Sequence, residues 1–243
     1  MHLYCKLRLL NLFCLILFTG FSQPAVKTSV TGSWKYTKGN ESWIFMAADQ
    51  YCMVTHYDAS GKKFFKTFGG FQHVEQGVLR LHYRFHSDDK SKTGSTGTFV
   101  WNAKNGYIES DLSGELGKWM PAGKAGSAMA GVWRITKRKE GNDLRAIQLA
   151  PRRTLKLLTD DRFQWAAINT ETGEFSGTGG GTYAFRNGVY TETITFFSRD
   201  SSRVGMTLQF KDHLEEGHWI HTGLSSKGDP IYEVWSKTTP DER

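Results

Sequence analysis

Gly180-Gly181-Thr182-Tyr183-Ala184-Phe185-Arg186-Asn187-Gly188-Val189 lies over Gly69-Gly70-Phe71-Gln72-His73-Val74-Glu75-Gln76-Gly77-Val78 without a gap, 111 residues away. The register continues: Phe85 meets Phe196, Ser87 meets Ser198 and Asp89 meets Asp200. Earlier in each copy, Gly32-Ser33-Trp34-Lys35-Tyr36-Thr37-Lys38 returns as Gly131-Val132-Trp133-Arg134-Ile135-Thr136-Lys137. Repetition on this length scale means one structural unit used twice. The units run roughly over 28–120 and 129–238. Between them, Leu116 to Ala128 is rich in Gly, Ala, Ser and Lys, as a loop would be.

Within each unit the pattern is that of strands. Val189-Tyr190-Thr191-Glu192-Thr193-Ile194-Thr195-Phe196 alternates with period two, and so does Val78 to Phe85. Asn169 to Gly173 and Arg186-Asn187-Gly188 are hairpin punctuation. The second unit reads as strands near 132–138, 145–149, 154–159, 162–169, 174–185, 188–198, 203–211 and 217–223, with a ninth at 231–237. Consecutive antiparallel strands with one apolar face bury that face by curling shut, and about eight of them make a small barrel. The expectation is an all-β chain of two tandem antiparallel barrels.

The first 25 residues stand apart. Lys6 and Arg8 precede an apolar core of Leu9 to Phe18, and small residues follow up to Ala25. That order is a secretory signal, and the apolar run is short of the ~20 residues a membrane span needs. The chain is therefore expected to be exported, periplasmic or secreted. Loss of the leader removes Lys6 and Arg8 and takes the formal charge from +7 to +5. Cys5 and Cys14 leave with it, so Cys52 remains without a disulfide partner in the chain. Pro151-Arg152-Arg153 and Thr136-Lys137-Arg138-Lys139 are small basic clusters. The modest charge argues against a nucleic-acid partner and allows weak contact with an anionic envelope surface.

Gly-x-Trp at Gly32-Ser33-Trp34 and Gly131-Val132-Trp133 resembles the first strand of lipocalins and the wider calycin group. Leu158 to Trp165, Thr172-Gly173-Glu174, Gly179 to Tyr183, Tyr190 to Ile194 and Tyr232-Glu233-Val234-Trp235 resemble a family of small exported bacterial lipocalin-like proteins of mostly uncharacterised function. The resemblance implies a barrel with an apolar ligand, and it covers nearly all of 129–238. The first unit departs from it. Leu79-Arg80-Leu81-His82 stands where Tyr-Thr-Glu-Thr is expected, and its closing Glu-x-Trp strand is missing.

Alternation puts Tyr190, Glu192, Ile194 and Phe196 on the inward face. A buried carboxylate must be paired or hydrogen-bonded, so Glu192 is either a ligand anchor, an acid/base or a structural acid. Phe163, Trp165, Tyr183, Tyr190, Glu192, Ile194, Met206 and Leu208 are the expected lining for a small hydrophobic ligand. In the first unit Tyr51 and Met53 align with Phe163 and Trp165 on this reading. Glu192 with His221 is the one acid/base pair that the pattern suggests. His213, His218 and His221 do not make a metal site, because odd spacing puts His218 and His221 on opposite faces. No nucleophile elbow, phosphate loop or dinucleotide fingerprint occurs, and no cofactor is implied. A binding module, an enzyme using Glu192, and a structural protein with filled barrels remain as readings.

Overall fold

The computed structural model describes residues 27–123, 127–225 and 228–243. The predicted leader, residues 1–25, lies outside the described residues. Of the described residues 65% are in strands, which form one closed eight-strand antiparallel barrel and one nearly closed barrel. Among the described residues no helix is long and apolar enough to cross a membrane.

The first barrel runs through β1 (Gly32–Lys38), β2 (Glu41–Ala48), β3 (Tyr51–Asp58), β4 (Lys63–Glu75), β5 (Val78–His86), β6 (Thr96–Val100), β7 (Asn102–Lys104), β8 (Tyr107–Ser110) and β9 (Gly117–Pro121). β6 pairs with β5 and β7 with β8, and only Trp101 separates the two short strands. One broken run thus joins both sides, and β9 returns to pair with β1. The second barrel runs through β10 (Gly131–Glu140), β11 (Asp143–Ala146), β12 (Arg152–Leu158), β13 (Arg162–Asn169), β14 (Phe175–Arg186), β15 (Val189–Phe197), β16 (Thr207–Glu215), β17 (His218–Leu224) and β18 (Pro230–Lys237). β11 pairs only with β10 and lies outside the ring, which the other eight strands close where β10 pairs with β18. Each of the nine expected strands has a counterpart, but β11 is Asp143–Ala146 where 145–149 was expected, and β16 begins at Thr207. Residues 201–203 form a tight turn before it.

The first unit does have a closing strand. Gly117–Pro121, read in the sequence as part of the loop, is β9. Trp119 faces Ile108 across the ladder as Trp235 faces Trp219. Gly117 stands opposite Ser110 as Glu233 stands opposite His221. The tryptophan of the closing motif is therefore kept and its acid is lost, which hid the strand.

The repeated residues do the same work twice. The Ser87 hydroxyl accepts from the Thr67 N–H, and that of Ser198 from Thr178 N–H. Asp89 and Asp200 each accept from the N–H two residues on and cap a short turn. Both ladders shift register at the paired glycines, Gly69/Gly70 and Gly180/Gly181. A Cβ on Gly70 would strike the His82 carbonyl, and one on Gly181 the Thr193 carbonyl. These bulges correct one expectation. Gly181 pairs with Ile194 but Gly180 with Phe196, so Thr195 is the extra residue. The inward face switches there. Tyr190 and Ile194 pack inside the second barrel, while Phe196 faces outward, as Phe85 does in the first.

Outward here means into the other barrel. Ile44, Met46, Tyr51, Met53 and Tyr57 pack with Val132, Leu155, Leu157, Ala166, Ile168 and Phe196 in one buried cluster. Residues 42–48 of β2 are all buried, since one face lines a barrel and the other the junction. At the centre of the junction the Gln164 amide donates to Thr67 and Thr178 hydroxyls at 3.0 and 3.1 Å. Its carbonyl oxygen accepts from Thr55 at 2.9 Å. The junction also explains the misplaced match of Tyr51 and Met53. Cys52 pairs with Gly70 as Phe163 pairs with Gly181, so Cys52 and Val54 correspond to Phe163 and Trp165.

Candidate functional site

The second barrel's interior is polar where the first one's is apolar. β12 reads Thr154-Leu155-Lys156-Leu157-Leu158. Leu155 and Leu157 face the junction, so Lys156 points into the barrel. Its ammonium lies 2.9 Å from Glu192 Oε2, and both side chains are at most 10% exposed. The rings of Phe163, Tyr190 and Trp219 are 5.0–5.1 Å from that ammonium, and Trp235 is at 5.8 Å. A cation over aromatic faces is stabilised by their quadrupoles, most where water is excluded. The Tyr190 hydroxyl donates to the same Glu192 oxygen at 3.2 Å. Burial, and then the charge of Glu192, push the Tyr190 phenol well above its ordinary value, so it stays a donor.

A second buried acid lies next to this group. Asp212 Oδ2 accepts from Trp219 Nε1 at 2.7 Å and from His221 Nδ1 at 2.8 Å, and Oδ1 accepts from the Thr222 N–H at 3.2 Å. Three donors satisfy a carboxylate that is costly to bury bare. The expected pair of Glu192 with His221 is not formed. Glu192 is held by Lys156 and Tyr190, and His221 by Asp212. His218 is exposed and bonds Ser236, while His213 is exposed beside Glu215.

The ladders show what stands at these positions in the first barrel. Phe45 faces Trp34 as Lys156 faces Trp133. Leu81 faces Gln72 as Glu192 faces Tyr183, and Leu79 takes the place of Tyr190. The Trp101 N–H donates to the Gly77 carbonyl as Asp212 N–H does to that of Gly188. Phe45, Leu79, Leu81 and Trp101 are all buried in one apolar cluster. The first barrel forms without any of these four polar groups.

Above Glu192 the second barrel keeps a cavity of about 190 Å³. Phe163, Trp165, Glu192, Ile194 and Leu208 line it, all expected from the sequence, together with Gly180, Phe197, Phe210, Ser225 and Ile231. Three expected lining residues sit elsewhere. Tyr190 packs beneath the cavity, and Tyr183 stacks on it at 5.3 Å while donating to the Thr159 carbonyl. Burial raises the Tyr183 phenol to about 12. Met206 lies outside β16 and is 38% exposed. Phe197 enters the lining only because the bulge switches faces. A wider depression of about 320 Å³ beside Arg138 and Ile147 lies outside, and two of its four arginines, Arg134 and Arg138, pair with Glu242 and Glu233.

Within the cavity, Glu192 is the one ionisable side chain among the lining residues. Its Oε2 takes both protein donors, and no protein group among the described residues bonds Oε1. The site therefore presents a carboxylate oxygen with no protein partner among the described residues, in a chamber lined mainly by aromatic and aliphatic side chains with Ser225 beside them.

No curated protein matches the chain. A family model described as a domain of unknown function, DUF4488, matches residues 128–243, which is the second barrel and the residues that follow it.

Proposed function

We propose that this chain is an exported binding protein for a small, mostly apolar molecule carrying one hydrogen-bond donor. The second barrel holds the ligand, with its hydroxyl or amine on Glu192 Oε1. The carrying observation is that uncommitted acceptor in a cavity of about 190 Å³ lined by Phe163, Trp165, Ile194, Leu208 and Phe210. Apolar chambers with few placed polar groups are the usual form of ligand sites. Glu192 Oε2 already accepts from Lys156 and Tyr190, so the same carboxyl group faces the chamber as a hydrogen-bond acceptor. The first barrel, filled by Phe45, Leu79, Leu81 and Trp101, serves as scaffold under this reading.

Titration of the purified protein with 1-octanol, octylamine and octanoate, read by tryptophan fluorescence, tests it. The alcohol and the amine bind and octanoate does not, because two carboxylates repel. Glu192→Gln weakens octylamine by about tenfold or more, since a charge-assisted hydrogen bond is lost. Leu208→Trp fills the chamber and abolishes binding with the charges intact. Failure of all three probes to bind, or binding untouched by Leu208→Trp, overturns the reading.

A further inference from the structure

The two basic clusters of the second unit, Thr136-Lys137-Arg138-Lys139 and Pro151-Arg152-Arg153, play no part in the cavity. The first forms one strand of a hairpin with β11. Residues 137–150 are exposed without interruption, and they carry Leu144 at 48%, Ile147 at 37% and Leu149 at 48% exposure. The ladder sorts the hairpin into two faces. Arg138 and Glu140 stand opposite Arg145 and Asp143. That face is neutralised: Arg145 pairs with Glu140 at 3.4 Å and Arg138 with Glu233 at 2.8 Å. On the other face Lys137 stands opposite Ala146, and Lys139 opposite Leu144. It holds no acid, and neither lysine has an ion pair among the described residues.

The hairpin also has a definite place on the barrel. Arg138 pairs with Glu233 across the closing ladder, and Ile231, two residues further along β18, lines the cavity. Leu224, 57% exposed, faces Pro230 at the same end. Unpaired cations beside protruding aliphatic side chains complement one kind of surface. Anionic headgroups meet the ammonium groups, and the acyl boundary below takes the leucine. A single-stranded nucleic acid would draw on aromatic stacking partners, and residues 134–153 contain no aromatic side chain.

We infer that the Lys137–Ala146 hairpin docks the cavity end of the second barrel onto an anionic phospholipid surface. The docking stands apart from the cavity reading, because it needs no ligand and is measured without one. Co-sedimentation of the purified protein with vesicles tests it, using an equimolar mixture of phosphatidylglycerol and phosphatidylcholine against phosphatidylcholine alone. Binding to the anionic vesicles is expected, weakened by high salt and absent on the neutral ones. The double variant Lys137→Glu/Lys139→Glu loses at least roughly thirtyfold in affinity, from about one surface lysine's contribution taken twice. Leu144→Asp weakens binding with the lysines in place. Lys62→Glu/Lys63→Glu, the same charge change on the first barrel, leaves it within about twofold. Far-ultraviolet circular dichroism and thermal midpoints, unchanged in these exposed variants, confirm folding. Equal binding to neutral vesicles, equal loss from both lysine pairs, or binding to duplex DNA without vesicle binding overturns the inference.

Discussion

Lys156 and Glu192 are a buried ion pair in a barrel whose twin has Phe45 and Leu81 at the same positions. Desolvation makes such pairs weak sources of stability, yet removing one partner strands the other's charge. Glu192→Leu alone is therefore expected to destabilise the protein by about 3–5 kcal/mol. The double variant Lys156→Met/Glu192→Leu should return to within about 1–2 kcal/mol of the parent, because the fold already tolerates an apolar pair there. Chemical denaturation of the parent, both singles and the double closes that cycle. A double variant as unstable as Glu192→Leu would mean that the pair carries the fold. Glu192 itself was legible as an inward acid from alternation on its strand. Lys156 was not, because alternation makes Leu155 and Leu157 the apolar face of their strand and leaves the lysine on the other. The leucines are indeed buried, but against the neighbouring barrel. The signal that exposes Lys156 is the repeat, which sets it over Phe45.

At the scale of the strand, the paired glycines decide which side chains enter the cavity. The bulge opposite Gly180/Gly181 lets Ile194 point inward and Phe196 outward on the same strand, and brings Phe197 into the lining. Strict period-two counting fails here, and no count of apolar residues reveals the extra Thr195. Only the repeated Gly-Gly hints at a break in the ladder. Because a Cβ on Gly181 would overlap the Thr193 carbonyl, a rigid neighbour, Gly181→Ala should cost more than about 2 kcal/mol. Gly70→Ala should cost a similar amount, since its Cβ would meet the His82 carbonyl in the same way. Urea midpoints of the two variants provide the comparison. A loss confined to one barrel would show that the bulge is not a shared device. The hairpins and the Ser and Asp turns were readable because each is local, whereas β9 was not, since loss of its acid left only Trp119 to mark it.

At the scale of the molecule, the two barrels share a core. Both barrels' outward faces at the junction contribute apolar side chains to one buried cluster, and Gln164 reaches across to Thr55 and Thr67. The tail reinforces this: Arg243 donates to the Asp49 carbonyl of the first barrel and to Thr238 at 2.8 Å. The sequence revealed two units and concealed their union, because an apolar stripe on a strand does not say which layer it faces. Shared burial of this kind couples unfolding, so neither barrel is expected to melt alone. Calorimetry of the parent should give one transition, with van't Hoff and calorimetric enthalpies in agreement. Phe196, 5.0 Å from Tyr57 across the junction, is the place to break the coupling. Phe196→Asp puts an unpaired charge between the barrels without entering either interior. Two resolved transitions, or a van't Hoff enthalpy well below the calorimetric one, are then expected, while the second barrel keeps its Lys156–Glu192 group. A parent that already melts in two steps would show that the junction only holds two independent barrels side by side.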